Sequence, residues 1–212
     1  DGKKLHGSYL LHELSKLRES SQEAVEDSES FSNFKEYLHV NRPIQDELIN
    51  ALKEAQESNS SQLILLCGSV GDGKSHLLSY LNNKYPNLMA GINVHNDATE
   101  SFDPKKTSID TLAEVLINFS DQRIQHSNEK LVLAINLGVL HNFLESDYAK
   151  ESYTKLVDFI DESKIFEADY LSVNQNSNYF KIINFTDYHH YELTVDGPKS
   201  EYFTNLLEKI VQ

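Results

Sequence analysis

Residues 63–78 read LILLCGSVGDGKSHLL, an apolar run followed by three glycines and then by apolar residues at helical spacing. This pattern predicts a strand that ends at Cys67, a glycine-rich turn, and a helix that begins near Lys74. Residues 68–75 fit G-x-x-x-x-G-K-[S/T] at each fixed position, and the flanking strand and helix are the context that this pattern requires. The stretch therefore predicts a phosphate-binding loop.

A polyphosphate needs several donors that converge on it from one side. Glycine permits backbone conformations that are closed to residues with a Cβ, so successive N–H groups of the loop can turn inward. The helix that follows adds the positive end of its dipole. We predict that Lys74 bridges the outer phosphates, and so takes part in catalysis, and that the Ser75 hydroxyl holds Mg²⁺. The predicted cofactor-binding set is Gly68, Ser69, Val70, Gly71, Asp72, Gly73, Lys74, Ser75, His76 and, from an earlier segment, Arg42.

The composition of the chain restricts the class of protein. The formal net charge is −14, whereas a domain that itself grips a nucleic-acid backbone shows a basic excess, so any DNA is expected to be held elsewhere. Cys67 is the only cysteine, which excludes a disulfide within the chain and predicts a small buried packing residue. The sequence has no apolar run that could span a bilayer and no signal pattern, which predicts a cytoplasmic protein without membrane contact.

The residues before the loop predict helices. Residues 5–17 carry leucines at helical spacing, and Pro43 with acidic residues after it predicts a helix that runs to about Glu57. We divide the chain into an N-terminal helical segment, residues 1–60, packed on an α/β P-loop NTPase domain, residues 61–212, whose mostly parallel sheet is flanked by helices. The absence of an initial methionine and the apolar-periodic end suggest an N-terminal fragment of a longer protein.

Two strand ends supply candidates for the metal and the reacting water. The apolar run 131–135 predicts a strand buried on both faces, and it ends in Asn136 where phosphate-loop enzymes often place an aspartate. Asparagine orients water or contacts a phosphate, but it brings no charge to a metal. Asp97 and Glu100 follow another predicted strand, where open α/β sheets bind ligands, although a solvated loop explains the same residues equally well. Two interpretations stay open: a sensor-type Asn136, or acids that serve the metal (Asp97) and catalysis (Glu100).

Four segments in this order are similar to the F subunit of the phosphorothioation-dependent restriction systems of bacteria (Dpt or Dnd type). They are LHVNRPIQ (38–45), LLCGSVGDGKSH (65–76), HNDATESFDP (95–104) and AINLGVL (134–140). The resemblance implies an ATPase subunit, with ATP and Mg²⁺ as cofactors, that acts with other subunits to restrict DNA lacking phosphorothioate linkages. It implies nucleotide roles for residues 68–75 alone, and it leaves self-association into a homo-oligomer open.

Alternatives remain for several of these assignments. Val40, Asn41 and Arg42 resemble the apolar-x-Arg turn beside adenine in AAA-type and STAND-type ATPases, although an ordinary helix start explains the same residues. A nucleotide-regulated interaction switch with little hydrolysis is the alternative function, favoured by Asn136 and by the scarcity of arginines. A small-molecule kinase is disfavoured because no arginine follows Arg123 to form a cationic lid. No Asn-Lys-x-Asp tetrad follows the loop, so adenine is favoured over guanine.

Overall fold

The structure is a computed structural model that describes residues 36–37, 39–96, 108–167, 177–188, 191–195 and 197–211. Its helices are α1 (Pro43–Glu57), α2 (Lys74–Lys84), α3 (Pro86–Met89), α4 (Ser108–Val115), α5 (Leu137–Leu144), α6 (Asp147–Ser152), α7 (Thr154–Ser163) and α8 (Glu201–Val211). Its strands are β1 (Gln62–Cys67), β2 (Asn93–His95), β3 (Lys130–Ile135), β4 (Phe180–Asn184), β5 (Glu192–Thr194) and β6 (Gly197–Lys199). Single 3-10 turns lie at Ile117–Phe119 and Phe185–Asp187.

The central sheet has four strands in the order β2-β3-β1-β4, and every neighbouring pair is parallel. Leu65 in β1 lies opposite Leu133 in β3 and Ile182 in β4, so the apolar runs of the three strands are in register. Helices join each parallel strand to the next, as such crossovers require. The predicted α/β fold, with a parallel sheet flanked by helices, is confirmed.

Both faces of β1 are buried, which explains its continuous apolar sequence. Leu63 and Leu65 belong to one core, which α4, α5 and α7 complete. Ile64 and Leu66 belong to a second core on the opposite face, which α1 and α2 complete. Successive side chains of a strand point to opposite faces, so the apolar residues of β1 alternate between the two cores.

Helix α1 has the predicted bounds. Pro43 occupies its first turn, and Arg42 before it is extended, with φ −126° and ψ 148°. Proline fixes φ near the helical value and disfavours helical geometry in the preceding residue, so the helix begins where the sequence predicts. Because Leu48 and Leu52 of α1 pack with β1 residues, the part of residues 1–60 that the structure describes shares a core with the sheet. Residues 1–35, including the predicted leucine-rich helix, lie outside the described residues.

Helix α8 is tied to the residues just before α1. Lys209 Nζ donates to the carbonyls of Tyr37, at 2.9 Å, and His39, at 2.7 Å. In return the Tyr37 hydroxyl donates to the Lys209 carbonyl at 2.7 Å. The last described helix is therefore held beside the entry to the first.

Helix α3 is a single turn, and Pro86 occupies its first position, where the fixed φ of proline suits helix initiation. Strands β5 and β6 form a separate antiparallel pair, in which Thr194 lies opposite Gly197. In the described parts of the chain, no helix has both the length and the apolar character needed to cross a membrane.

Candidate functional site

The carboxyl ends of β1 and β3 are neighbours in the sheet. The chain leaves β1 towards β2 on one side of the sheet and leaves β3 towards β4 on the other side. Ligands of open α/β sheets bind where the connections that follow two neighbouring strands pass to opposite sides of the sheet in this way. The glycine-rich loop leaves β1 at this point, and Asn136 leaves β3. The topology thus brings two of the predicted site elements to the same edge of the sheet.

The loop backbone requires glycine at two positions. Gly71 has φ +89° and Gly73 has φ +94°, conformations that L residues with a Cβ rarely adopt. Space is also tight at Gly68, since a Cβ there would lie 2.6 Å from Asp72 Oδ2, at the end of a side chain that can turn away, and 3.0 Å from Phe185 Cβ. The spacing of these glycines therefore encodes one particular backbone path between Cys67 and the helix.

Helix α2 begins at Lys74 without a side-chain cap, because its N-cap residue is Gly73. The first N–H groups of a helix have no partner within it, and the helix dipole makes this end electropositive. Its first turn carries no acidic residue. Such a helix start is suited to an anion.

Two charged side chains fold back onto the loop. Lys74 Nζ donates to the carbonyls of Gly68, at 3.0 Å, and Ser69, at 2.7 Å, so the predicted phosphate-binding amine lies at the loop. Asp72 Oδ2 accepts the Ser69 N–H at 2.5 Å and closes a turn within the loop. Val70 at the tip is 91% exposed, so the loop is accessible from solvent.

Arg42 supports the loop from the segment that precedes α1. Its Nη1 donates to the Asp72 carbonyl at 2.9 Å. The guanidinium carbon lies 4.9 Å from the ring centroid of Phe185 and 5.6 Å from that of Tyr202, distances typical of cation–π contacts. Burial lowers the pKa of Arg42, although it stays far above neutrality in proteins. The residue predicted to lie beside a base therefore contacts the loop backbone and two aromatic rings.

His76, the last residue of the predicted loop set, pairs with a histidine that the sequence analysis did not select. His39 Nδ1 lies 3.1 Å from His76 Nε2, and His39 Nε2 lies 2.7 Å from Gln45 Oε1. An amide oxygen only accepts, so His39 Nε2 carries the proton and Nδ1 is the acceptor for His76. The His39 ring also stacks on Tyr80 with centroids 3.5 Å apart. Burial lowers the pKa of His39, which favours this neutral form.

Ser75, the predicted metal ligand, is bonded to the residue that follows β2. Its Oγ donates to Asn96 Oδ1 at 3.0 Å. The residues predicted to act at this strand end, Asp97 and Glu100, lie outside the described residues. The signal that pointed to Asn96 was its place directly after a strand, the same signal that selected Asn136.

Asn136 caps the helix that follows it. Its Oδ1 accepts the Gly138 N–H at 2.7 Å, which makes it the N-cap of α5. Asparagine is among the residues preferred at this position. Its role as a catalytic residue stays a prediction, and the contact that the structure gives to its amide oxygen is this cap.

Ser75 and Asn96 supply oxygen atoms that suit a hard cation bound at the same time to anionic groups of a ligand. The Ser75 hydroxyl and the Asn96 amide offer oxygen donors, which Mg²⁺ prefers, and this ion is commonly held by few protein groups together with substrate phosphates. Within the described residues, no three His, Cys, Asp or Glu side chains are grouped to hold a metal by themselves. Cys67 is fully buried, and burial raises the pKa of its thiol to about 12, so it is a neutral packing group as predicted.

Comparisons with protein-family models, with curated proteins and with solved structures find no match to this chain.

Proposed function

We propose that the chain binds ATP with Mg²⁺ at residues 68–75 and hydrolyses it as a subunit of a phosphorothioation-dependent DNA restriction complex. The observation that carries the nucleotide assignment is the loop after β1, whose glycines hold positive φ at 71 and 73 directly before an uncapped helix start. The loop also lies where the connections after β1 and β3 pass to opposite sides of the sheet, which supports the same assignment.

Each part of the loop has a defined role in this proposal. The N–H groups at the start of α2 bind phosphate oxygens, and the Lys74 amine moves from the carbonyls of Gly68 and Ser69 onto the outer phosphates. The Ser75 hydroxyl holds the metal, whose charge offsets that of the phosphates. Arg42 and Asp72 hold the loop in shape, since they bond its backbone from both sides.

The biological assignment rests on the four-segment resemblance. ATP is favoured over GTP because the sequence lacks the tetrad that reads guanine. The net charge of −14 favours DNA contact through other subunits of the complex.

A nucleotide-regulated switch with little hydrolysis is the second candidate. It is favoured by the neutral side chains of Asn96, after β2, and Asn136, after β3, at positions where a carboxylate would assist metal and water. Single-turnover hydrolysis, measured with and without partner subunits and DNA, separates the two candidates. A rate raised by partners or DNA supports the ATPase, and an unchanged slow rate supports the switch.

Lys74→Ala tests the site. Because a hydrogen bond to a charged group contributes roughly 1.5–3 kcal/mol, we expect ATP affinity to fall by about 10- to 100-fold. Calorimetric titration with Mg·ATP measures this change, and circular dichroism verifies the fold. Lys53→Ala is the matched control, since Lys53 is an exposed lysine on α1 away from the loop. Equal affinity in the Lys74 and Lys53 variants would contradict the assignment.

A further inference from the structure

The bond between Ser75 and Asn96 fixes the direction of the Ser75 hydroxyl. A serine hydroxyl has one proton to donate and two lone pairs. With the proton directed to Asn96 Oδ1, at 3.0 Å, the lone pairs of Ser75 Oγ point elsewhere. Both residues are half-buried, so the bond is partly shielded from water. A hydroxyl held in this way is oriented to act as a metal ligand.

We infer that Asn96 is the positioning residue for Mg²⁺ in this site, acting through Ser75, and that its neutral amide makes the metal bind only as a complex with the nucleotide. The inference rests on the proposed function and specifies how the metal is held there. By accepting the hydrogen bond from the Ser75 hydroxyl, Asn96 orients that hydroxyl as a strand-end carboxylate would. Without a negative charge it attracts a free cation much less than a carboxylate would.

The topology explains why Asn96, rather than Asn136, has this role. Strand β3 lies between β1 and β2, so the first turn of α2 reaches over the end of β3 to meet the residue after β2. Asn136 ends β3 itself, but its amide oxygen is bonded to the Gly138 N–H. Of the two asparagines, Asn96 is the one whose oxygen meets the predicted metal ligand.

The charge of the site predicts how Mg²⁺ and nucleotide depend on each other. A triphosphate supplies several negative charges, whereas the groups described beside the Ser75 hydroxyl are neutral or cationic. Metal-free ATP therefore meets no repulsion from Asn96, and among the described hydrogen-bond partners of Ser75 an Mg²⁺ ion alone meets no carboxylate. Replacing the amide by a carboxylate should reverse both properties, because a carboxylate attracts the cation and repels the free triphosphate.

The test is a calorimetric titration of ATP in EDTA and over a series of Mg²⁺ concentrations. With Asn96→Asp we expect the Mg²⁺ concentration for half-maximal binding to fall by about tenfold and metal-free affinity to fall by several fold. With Asn96→Leu we expect the ATP affinity in EDTA to equal that of the unmodified chain. Added Mg²⁺ should no longer raise the ATP affinity of this variant. Asn82→Asp adds the same charge at an exposed position on α2 and should leave both affinities unchanged. Thermal melting of each variant verifies that it is folded.

If Mg²⁺ raises the ATP affinity of folded Asn96→Leu as much as that of the unmodified chain, the inference is overturned, while the assignment of nucleotide binding stands. The same holds if Asn96→Asp shifts both affinities in one direction, since a purely structural effect would do so. If the unmodified chain binds no ATP both in EDTA and with Mg²⁺, the proposed function is overturned, and the inference with it. The two failures are therefore distinguishable.

Discussion

The segments that leave β1 and β3 start side by side but are stabilised in opposite ways. After β3, Asn136 bonds the N–H of Gly138, two residues further along, and helix α5 begins at once. After β1, the loop is held by remote segments: Arg42 reaches Asp72 over 30 residues, and Ser75 reaches Asn96 over 21. The end of β3 is encoded locally, whereas the end of β1 combines local bonds from Asp72 and Lys74 with contacts that depend on the assembled fold.

This difference leads us to expect a structural role for the segment after β3 and a binding role for the segment after β1. A local cap contributes to the free energy of unfolding whether or not a ligand is present. A loop whose shape depends on several remote side chains is preorganised for something that contacts it, because binding sites need their groups fixed before the ligand arrives. We therefore expect substitutions at the end of β3 to affect stability first and substitutions at the end of β1 to affect nucleotide binding.

Gly73→Ala should give the largest effect in this comparison. At φ +94° an alanine is strained by about 1–2 kcal/mol, and a shifted backbone there would also misdirect the start of α2. Gly91→Ala is the matched control, because Gly91 has φ +76° and lies outside the loop. We expect both variants to lose stability in urea denaturation and only Gly73→Ala to lose ATP affinity. Equal ATP affinity in both would contradict the role given to the loop.

Asn136→Ala should give a smaller effect on stability alone. Loss of an N-cap side chain costs about 1 kcal/mol, so the urea midpoint should fall, and Asn136→Ser should restore most of it. ATP affinity should stay unchanged if the cap is the whole role of the side chain. A loss of affinity that serine does not restore would show that Asn136 also contacts the nucleotide, and would weaken the contrast between the two segments.

The smallest expected effect is on the pH dependence of stability, through His39, which contacts His76 at the start of α2. Folding lowers the pKa of His39 from its ordinary value of 6.5 through burial, so the folded protein holds fewer protons there than the unfolded chain. Stability should therefore fall as pH drops through 6.5 and continue to fall towards the lower folded value. We expect His39→Asn to be less stable than the unmodified chain at pH 7.5 and to lose less further stability by pH 5.5. Parallel pH profiles for the two proteins, measured by urea denaturation, would show that His39 does not contribute.

The sequence predicted the elements that local patterns encode. Proline at 43 fixed the start of α1, the glycines fixed the turn after Cys67, and the apolar runs predicted buried parallel strands. It did not predict the pairings of Ser75 with Asn96 or of His76 with His39, because these depend on strand order and on contacts across 21 and 37 residues. The β5–β6 hairpin was missed because three-residue strands are too short to show alternation.

The bonds between Lys209, Tyr37 and His39 link α8 mechanically to the loop. His39 in turn contacts His76 at the start of α2, and Tyr202 of α8 covers the guanidinium of Arg42. A force that lifts α8 must therefore break three hydrogen bonds and uncover the side chain that braces the loop. Displacing α8 would therefore withdraw support from Arg42, which contacts the loop, and from His39, which contacts the start of α2.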